Sequence, residues 1–378
     1  MAIKAETSFS LKDQLFNETS VRELARAVKA AYPRFDDRAF QKDALTAFPQ
    51  LELKQRISHL AKTLQAFLPK RFDRTVSVLR KALPPPLDPT LQDDDFGVFI
   101  WVVPGELIAD IGCREDRVAV SLEFLREATM RFSSEGAIRP FLNAFPEQTM
   151  AAVRKWAKDD NYHVRRLASE GIRPLLPWAP RADVPFDEIV AVLDELHADP
   201  TRYVTRSVAN TLNDIAKLEP KRVVDALSKW RDLGRQSPAE LKWMTRHALR
   251  TLTGRGDPQA LRLLGYTNRP QFTLQRHDAT TKVIVGEEFR WSASLLAEAK
   301  QRWLITMNIL FLKANGKHSA KVFRLKDLAV AKGEVVEFEK RQPFKPLTTR
   351  TLYPGVHHAE LLVNGQVIAE HSFEVVVG

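Results

Sequence analysis

The chain has 378 residues, 44% hydrophobic and 28% charged, enough for two domains with buried cores and unlike a low-complexity or wholly disordered polymer. Lysine and arginine number 57 against 47 aspartates and glutamates, and the resulting net charge of +10 suits a polyanionic partner without naming one. The single cysteine, Cys113, excludes an internal disulfide and a cysteine-based zinc cluster.

No run approaches the roughly 18 consecutive apolar residues of a membrane-spanning helix. The N-terminal MAIKAETSFSLKDQ lacks the apolar core of a signal peptide, so a cytoplasmic location is expected. Residues 271–378 carry 15 basic and 11 acidic side chains, which leaves 42 and 36 for residues 1–270. Neither part is a basic tail, so any nucleic-acid site must be assembled by folding.

In chain order, the first elements are amphipathic helices. SVRELARAVKAAY (20–32) and PKRVVDALSKW (220–230) repeat apolar residues every three or four positions. Trp101 lies in the apolar run FGVFIWVVPGELIADIG and is expected in the core. Glu135 follows Ser133-Ser134, where it is expected to cap a helix start. HVRRLAS (163–169), YVTRSVA (203–209) and WMTRHAL (243–249) recur at a spacing of 40 with Arg166, Arg206 and Arg246 in register, and EFLREAT (123–129) is a weaker copy carrying Arg126. That period predicts HEAT-like helix pairs stacked into a right-handed α-solenoid. Asp159 and Asp199 share one repeat position, and Asp199-Pro200 and Asp257-Pro258 each read as an N-cap with proline at N1.

Near residue 270 the period drops to two. Phe289, Trp291, Ala293 and Leu295 alternate with polar residues, as do Trp303, Ile305, Met307, Ile309 and Phe311, and Asn315-Gly316 and Asn364-Gly365 supply hairpin turns. The expected architecture is therefore multidomain: a HEAT-like helical domain over 1–268 and an antiparallel immunoglobulin-like β-sandwich over 271–378.

The candidate chemistry lies in the repeats. Arg166 and Glu170 stand four apart on one helix face, and Arg206, Asn210 and Asp214 form the matching stripe of the next repeat, so Glu170 and Asp214 converge if that stripe faces the concave side. The arginines then bind an anion or tie repeats together through ion pairs. Trp178, between two prolines in PLLPWAP, is a pocket wall or a plug in the repeat joint, and composition favours the plug. His357-His358 on a strand point to opposite faces, Gly254-Arg255-Gly256 reads as an inter-repeat loop, and no metal site is assigned. Walker, HExxH and GxSxG motifs are absent from the sequence. Carboxylates, arginines and tryptophan suit a reaction with a cationic transition state, such as hydrolysis of an N-glycosidic bond to a charged alkylated base.

LKDQLFNETSVRELA (11–25), NYHVRRLASEGIRPLLPWAP (161–180) and YVTRSVANTLNDIAK (203–217) resemble the bacterial DNA alkylation repair glycosylases of the AlkC and AlkD type, specifically the AlkC branch. Some members of that branch carry a C-terminal immunoglobulin-like domain. The resemblance implies a monofunctional glycosylase, without cofactor, that removes 3-methyladenine and 3-methylcytosine from double-stranded DNA and does so without flipping the base into a deep pocket. It carries the active-site roles onto Glu170, Trp178, Glu135 and Asp214, with Asn213 the alternative to Asp214. Arg166, Arg206, Arg246 and Arg165 are then expected to grip phosphates. The AlkD branch has an aromatic residue where Asn210 stands, so its tryptophan-lined mechanism does not transfer whole. For the sandwich, Lys313, Lys317, Lys321, Arg324 and Lys326 mark a second DNA contact or a solvated charged face. A monomer associated with the bacterial nucleoid when bound to DNA is expected. The competing reading is a non-catalytic HEAT-repeat scaffold that binds DNA or protein, with the carboxylates serving only in repeat packing.

Overall fold

Asn17 begins the first long helix by accepting the backbone N–H groups of Thr19 and Ser20, and the helix Glu18–Ala31 buries Val21, Leu24, Ala25 and Val28 on one face. The same physics repeats through the helical part. Asn161 caps Tyr162–Glu170 through the His163 N–H, and Asp257 caps Pro258–Leu263 through the N–H groups of Gln259 and Ala260 with proline at N1, as its Asp-Pro signature predicts. This computed structural model describes residues 10–91, 93, 96–345 and 351–377. Residues 1–9, on which part of the signal-peptide reading rests, lie outside the described residues.

Two local expectations are corrected. Pro200 does not open a helix, because the helix Arg202–Ala216 starts two residues later and the Asp199 carboxylate folds back onto the N–H and hydroxyl of Thr201. Glu135 caps no helix either. It lies in a turn ahead of Arg139–Ala144, whose N-cap position is Ile138, and its carboxylate is taken by side chains.

The described residues form two compact units. The first comprises residues 10–214 with Gly234–Ser237, and the second residues 215–233 with 238–377. In the first, neighbouring helices pack in pairs, including Leu53–Phe67 on Val102–Gly112 and Pro146–Trp156 on Tyr162–Glu170. Charged ties join successive repeats: Arg126 meets Asp159 at 2.6 Å and Arg165 meets Asp199 at 2.5 Å. The counterpart of Arg126 in this bond is Arg165 rather than Arg166, so the EFLREAT copy is displaced by one residue from the register read in the sequence. Trp101 is buried, with its indole N–H donated to Glu23 at 3.3 Å.

In the second unit, strands β1 (Phe272–Ala279), β2 (Lys282–Ile284), β3 (Glu288–Ala297), β4 (Gln301–Leu312), β5 (His318–Val330), β6 (Val335–Pro343), β7 (Gly355–Val363) and β8 (Gln366–Val376) make two sheets. Their orders are β1-β3-β6 and β2-β8-β7-β4-β5. All pairings are antiparallel except the short β2–β8 pair, which is parallel. The alternating residues read from the sequence fill the space between the sheets: Phe289, Trp291 and Leu295 from β3 pack in one core with Trp303, Ile305, Met307 and Ile309 from β4. Asn364 and Gly365 both take positive φ, 49° and 79°, in the β7–β8 hairpin. Asn315 does not. Only Gly316 of that pair has positive φ, and the Asn315 side chain instead accepts the Lys317 N–H. Gly256 and Gly365 have no room for a side chain, since a Cβ on Gly256 would meet Gly365 Cα at 2.8 Å.

Candidate active site

The helix Tyr162–Glu170 ends on a buried carboxylate, Glu170, only 4% exposed. Its Oε1 accepts from Arg173 Nη1 at 2.5 Å, its Oε2 accepts from Ser207 Oγ at 2.7 Å, and Arg166 Nη2 stands 3.6 Å away. Burial opposes ionisation, but the Arg166 and Arg173 guanidinium groups and the Ser207 hydroxyl outweigh it and hold the carboxyl below the usual carboxylate range. Arg173 Nε also donates to Asp214 Oδ2 at 3.0 Å. Glu170 and Asp214 therefore do converge from adjacent helices, but on the Arg173 guanidinium rather than on open solvent.

Arg166 carries this buried charge outward. It donates to Ser133 Oγ at 2.6 Å and to the carboxylate of Glu135, and its guanidinium lies 5.0 Å from the centre of the Tyr203 ring. Glu135 also accepts from Ser133 Oγ at 2.8 Å. Glu135 and Arg166 line a cleft of about 650 Å³ within the first unit, together with the rings of Phe96, Phe99, Phe132 and Tyr203 and with Trp178. Glu170 and Asp214 lie outside its wall, beneath Arg166 and Arg173.

Trp178 is 74% exposed, so it walls the cleft and does not plug a repeat joint, which corrects the reading that composition favoured. Its backbone has φ 64°, a left-handed conformation that a bulky residue keeps only when its surroundings impose it. Arg139 imposes much of it. This fully buried side chain donates to the carbonyls of Pro180, Gly171 and Arg173, each at 2.8 Å, and so gathers both ends of the loop bearing Trp178. Burial pushes the Arg139 pKa down to about 10. From the other side, the Lys54 ammonium donates to the Trp178 carbonyl.

The remaining predicted residues lie elsewhere. Arg165 is occupied by both carboxylate oxygens of Asp199, at 2.5 and 3.3 Å, and by the carbonyls of Asp159 and Asp160. Arg206 pairs with Asp93. In the second unit, Arg246, Arg302 and Arg324 surround Asp327, and Arg246 approaches it to 2.6 Å. Lys313, Lys317 and Lys321 are exposed on the β4–β5 hairpin, with the Lys321 ammonium 5.0 Å from the Phe323 ring centre, and Lys326 is half-buried. His357 is buried against the Tyr353 carbonyl, whereas His358 faces Ser372, so the two rings part as the strand alternation predicts.

The family profile for "DNA alkylation repair enzyme" matches residues 128–252, which contain Glu135, Arg166, Glu170, Arg173, Trp178 and Asp214. That for "Uncharacterised protein YhaZ, C-terminal Ig-like domain" matches residues 274–377. The chain is 32% identical to the Uncharacterized protein YhaZ of Bacillus subtilis (strain 168), over 96% of this chain and 98% of that protein. It is also similar to the Pseudomonas fluorescens alkylpurine DNA glycosylase AlkC, solved bound to DNA containing an abasic site analog, with 31% identity, a TM-score of 0.84, and coverage of 97% of this chain and all of that one. The chain belongs to the AlkC-type DNA alkylation repair family. Within this AlkC-type fold, the immunoglobulin-like domain and the helical repeat are both accounted for across nearly the whole length.

Two groups in and around this cleft escaped the sequence. Arg139 and Arg173 stand outside the repeated arginine register, so periodicity carries no signal for them. Glu106 and Asp110, which line the cleft, did leave one: a pair of acids four apart inside an otherwise apolar run.

Proposed function

We propose that this protein is a monofunctional DNA glycosylase that hydrolyses the N-glycosidic bond of positively charged N3-alkylated bases, 3-methyladenine and 3-methylcytosine, in double-stranded DNA. The observation that carries the reading is a cleft lined by Glu135, Arg166 and an exposed tryptophan, with Glu170 buried behind Arg166, in a basic chain similar to an alkylpurine DNA glycosylase. Carboxylates stabilise positive charge as it shifts from base to sugar, and an aromatic face adds about 0.5–2 kcal/mol of cation–π attraction. A charged base leaves without prior protonation, so no general acid is required.

In this reading Glu135 and Trp178 meet the lesion directly. Arg166 exchanges its carboxylate partners for a DNA phosphate, and Glu170, still held by Arg173 and Ser207 with Asp214 on the same guanidinium, stabilises the sugar cation and positions the attacking water from behind the cleft wall. Arg206 and Arg246 contact flanking phosphates, and Arg165 keeps the repeat tie it makes to Asp199. The exposed position of Trp178 suits a duplex engaged at the rim, with the lesion left in the stack and the protein acting as a monomer.

The test is release of free base from methylated duplex DNA, resolved by chromatography into 3-methyladenine, 3-methylcytosine and 7-methylguanine. Release of the N3 adducts, lost in E170Q while folding and DNA affinity persist, supports the enzyme. A folded, DNA-binding protein that releases none is a scaffold.

A further inference from the structure

The helix Val102–Gly112 is almost wholly apolar, with Val103, Leu107, Ile108 and Ala109 buried, and it packs against Leu53–Phe67 and Val118–Thr129. Glu106 interrupts it. The side chain is partly buried and lines the cleft, one turn from Asp110. Among the described residues it has no ion pair or side-chain hydrogen bond, in contrast to Glu135, Glu170 and Asp214, which arginines engage. The cation whose field reaches it is Lys54, whose ammonium donates to the Trp178 carbonyl. A carboxylate withdrawn from water without a partner costs folding free energy, and a fold that keeps one at a cleft wall leaves it available to a charge arriving from outside.

The rings around it define that charge. Phe99 and Phe132, 4.8 Å apart and tilted against each other, line the cleft together with Tyr203 and Trp178, so a cationic base presented at the rim meets aromatic surface as well as a carboxylate. A planar cation satisfies both, whereas a neutral base of the same shape satisfies only the rings.

We propose that Glu106 is a specificity-determining residue that holds the positive charge of the alkylated nucleobase and makes the cleft prefer cationic over neutral lesions. The proposal rests on the glycosylase reading above and adds to it a residue that discriminates between substrates. The charged groups that act on Glu106 are Asp110 on its own helix and Lys54 on Leu53–Phe67, and Glu135 and Arg166 line the same cleft. Burial, reinforced by Asp110 and opposed by Lys54, raises the Glu106 pKa, and a cation arriving in the cleft favours its ionised form.

The experiment compares wild type, E106Q and E106D in kcat/KM for release of the cationic 3-methyladenine and of the neutral 1,N6-ethenoadenine, alongside the melting temperature and the affinity for undamaged duplex. E106Q is expected to lose about tenfold or more in kcat/KM for 3-methyladenine with little change for the neutral lesion, while duplex affinity holds and the melting temperature holds or rises, and E106D is expected to recover part of the loss. An E106Q enzyme within about twofold of wild type overturns the role of Glu106 and leaves the glycosylase reading standing. A wild-type protein that releases no base overturns that reading and this proposal with it.

Discussion

Glu170 and Asp214, forty-four positions apart in sequence, are bound by the same guanidinium, that of Arg173, at 2.5 and 3.0 Å. Both carboxylates are buried, so each depends on this arginine to offset its desolvation. Arg173→Met should therefore destabilise the protein by about 3–5 kcal/mol in urea unfolding, because it leaves two carboxylates without their common partner. The double variant E170Q/R173M should lose less than the sum of its single changes. Strict additivity would show that the shared guanidinium is not what joins them.

Acid sensitivity follows from the same cluster. The folded state holds Glu170 below the usual carboxylate pKa, so the stability it contributes is present above its unfolded value and is lost as the pH falls through the folded one. Thermal melts from neutral pH to pH about 3 should fall less steeply for E170Q than for wild type. Parallel curves would place the acid sensitivity in other groups.

Trp178 keeps a left-handed backbone under the hold of Arg139 and Lys54. Trp178→Gly relieves that conformation and Trp178→Ala does not, so the glycine variant should be the more stable of the two by about 1 kcal/mol in chemical denaturation. Both should lose base-release activity, since both remove the aromatic wall. Equal stability would mean that the loop relaxes freely once the indole is gone.

Arg139 should be needed for the shape of that loop. Arg139→Met removes the donors to three carbonyls, two of them buried, and a cost of about 3 kcal/mol or more is expected. Limited proteolysis between Gly171 and Arg181 should accelerate well below the global melting temperature. Unchanged protection would assign the loop's order to other contacts.

If the sandwich hairpin binds DNA, neutralising Lys313, Lys317 and Lys321 together as glutamines should weaken duplex binding. The slope of log affinity against log salt should fall by about 0.9 for each phosphate that no longer meets a lysine. An unchanged slope would make the hairpin a solvated surface. This substitution is a cleaner test than removing the sandwich, because residues 238–377 belong to one compact unit with 215–233.

Much of this molecule could be read along the chain, since helix and strand periods, caps and hairpin turns are set by residues within a few positions of one another. The Asn161 and Asp257 caps, the Asn364-Gly365 turn and the inward residues of β3 and β4 follow from local chemistry. The 40-residue recurrence of arginine did the same for the architecture. It did not distinguish Arg165, spent on Asp199, from its neighbour Arg166, which lines the cleft: periodicity gives phase along a helix and not the direction a face points. The sequence by itself determined the helical repeat, the sandwich and the family resemblance. Only the tertiary structure decided that Glu170 and Asp214 are buried behind arginines, that Trp178 is an exposed wall and that Glu106 meets no partner among the described residues, because the partners that bury or satisfy a charge come from segments distant in the chain.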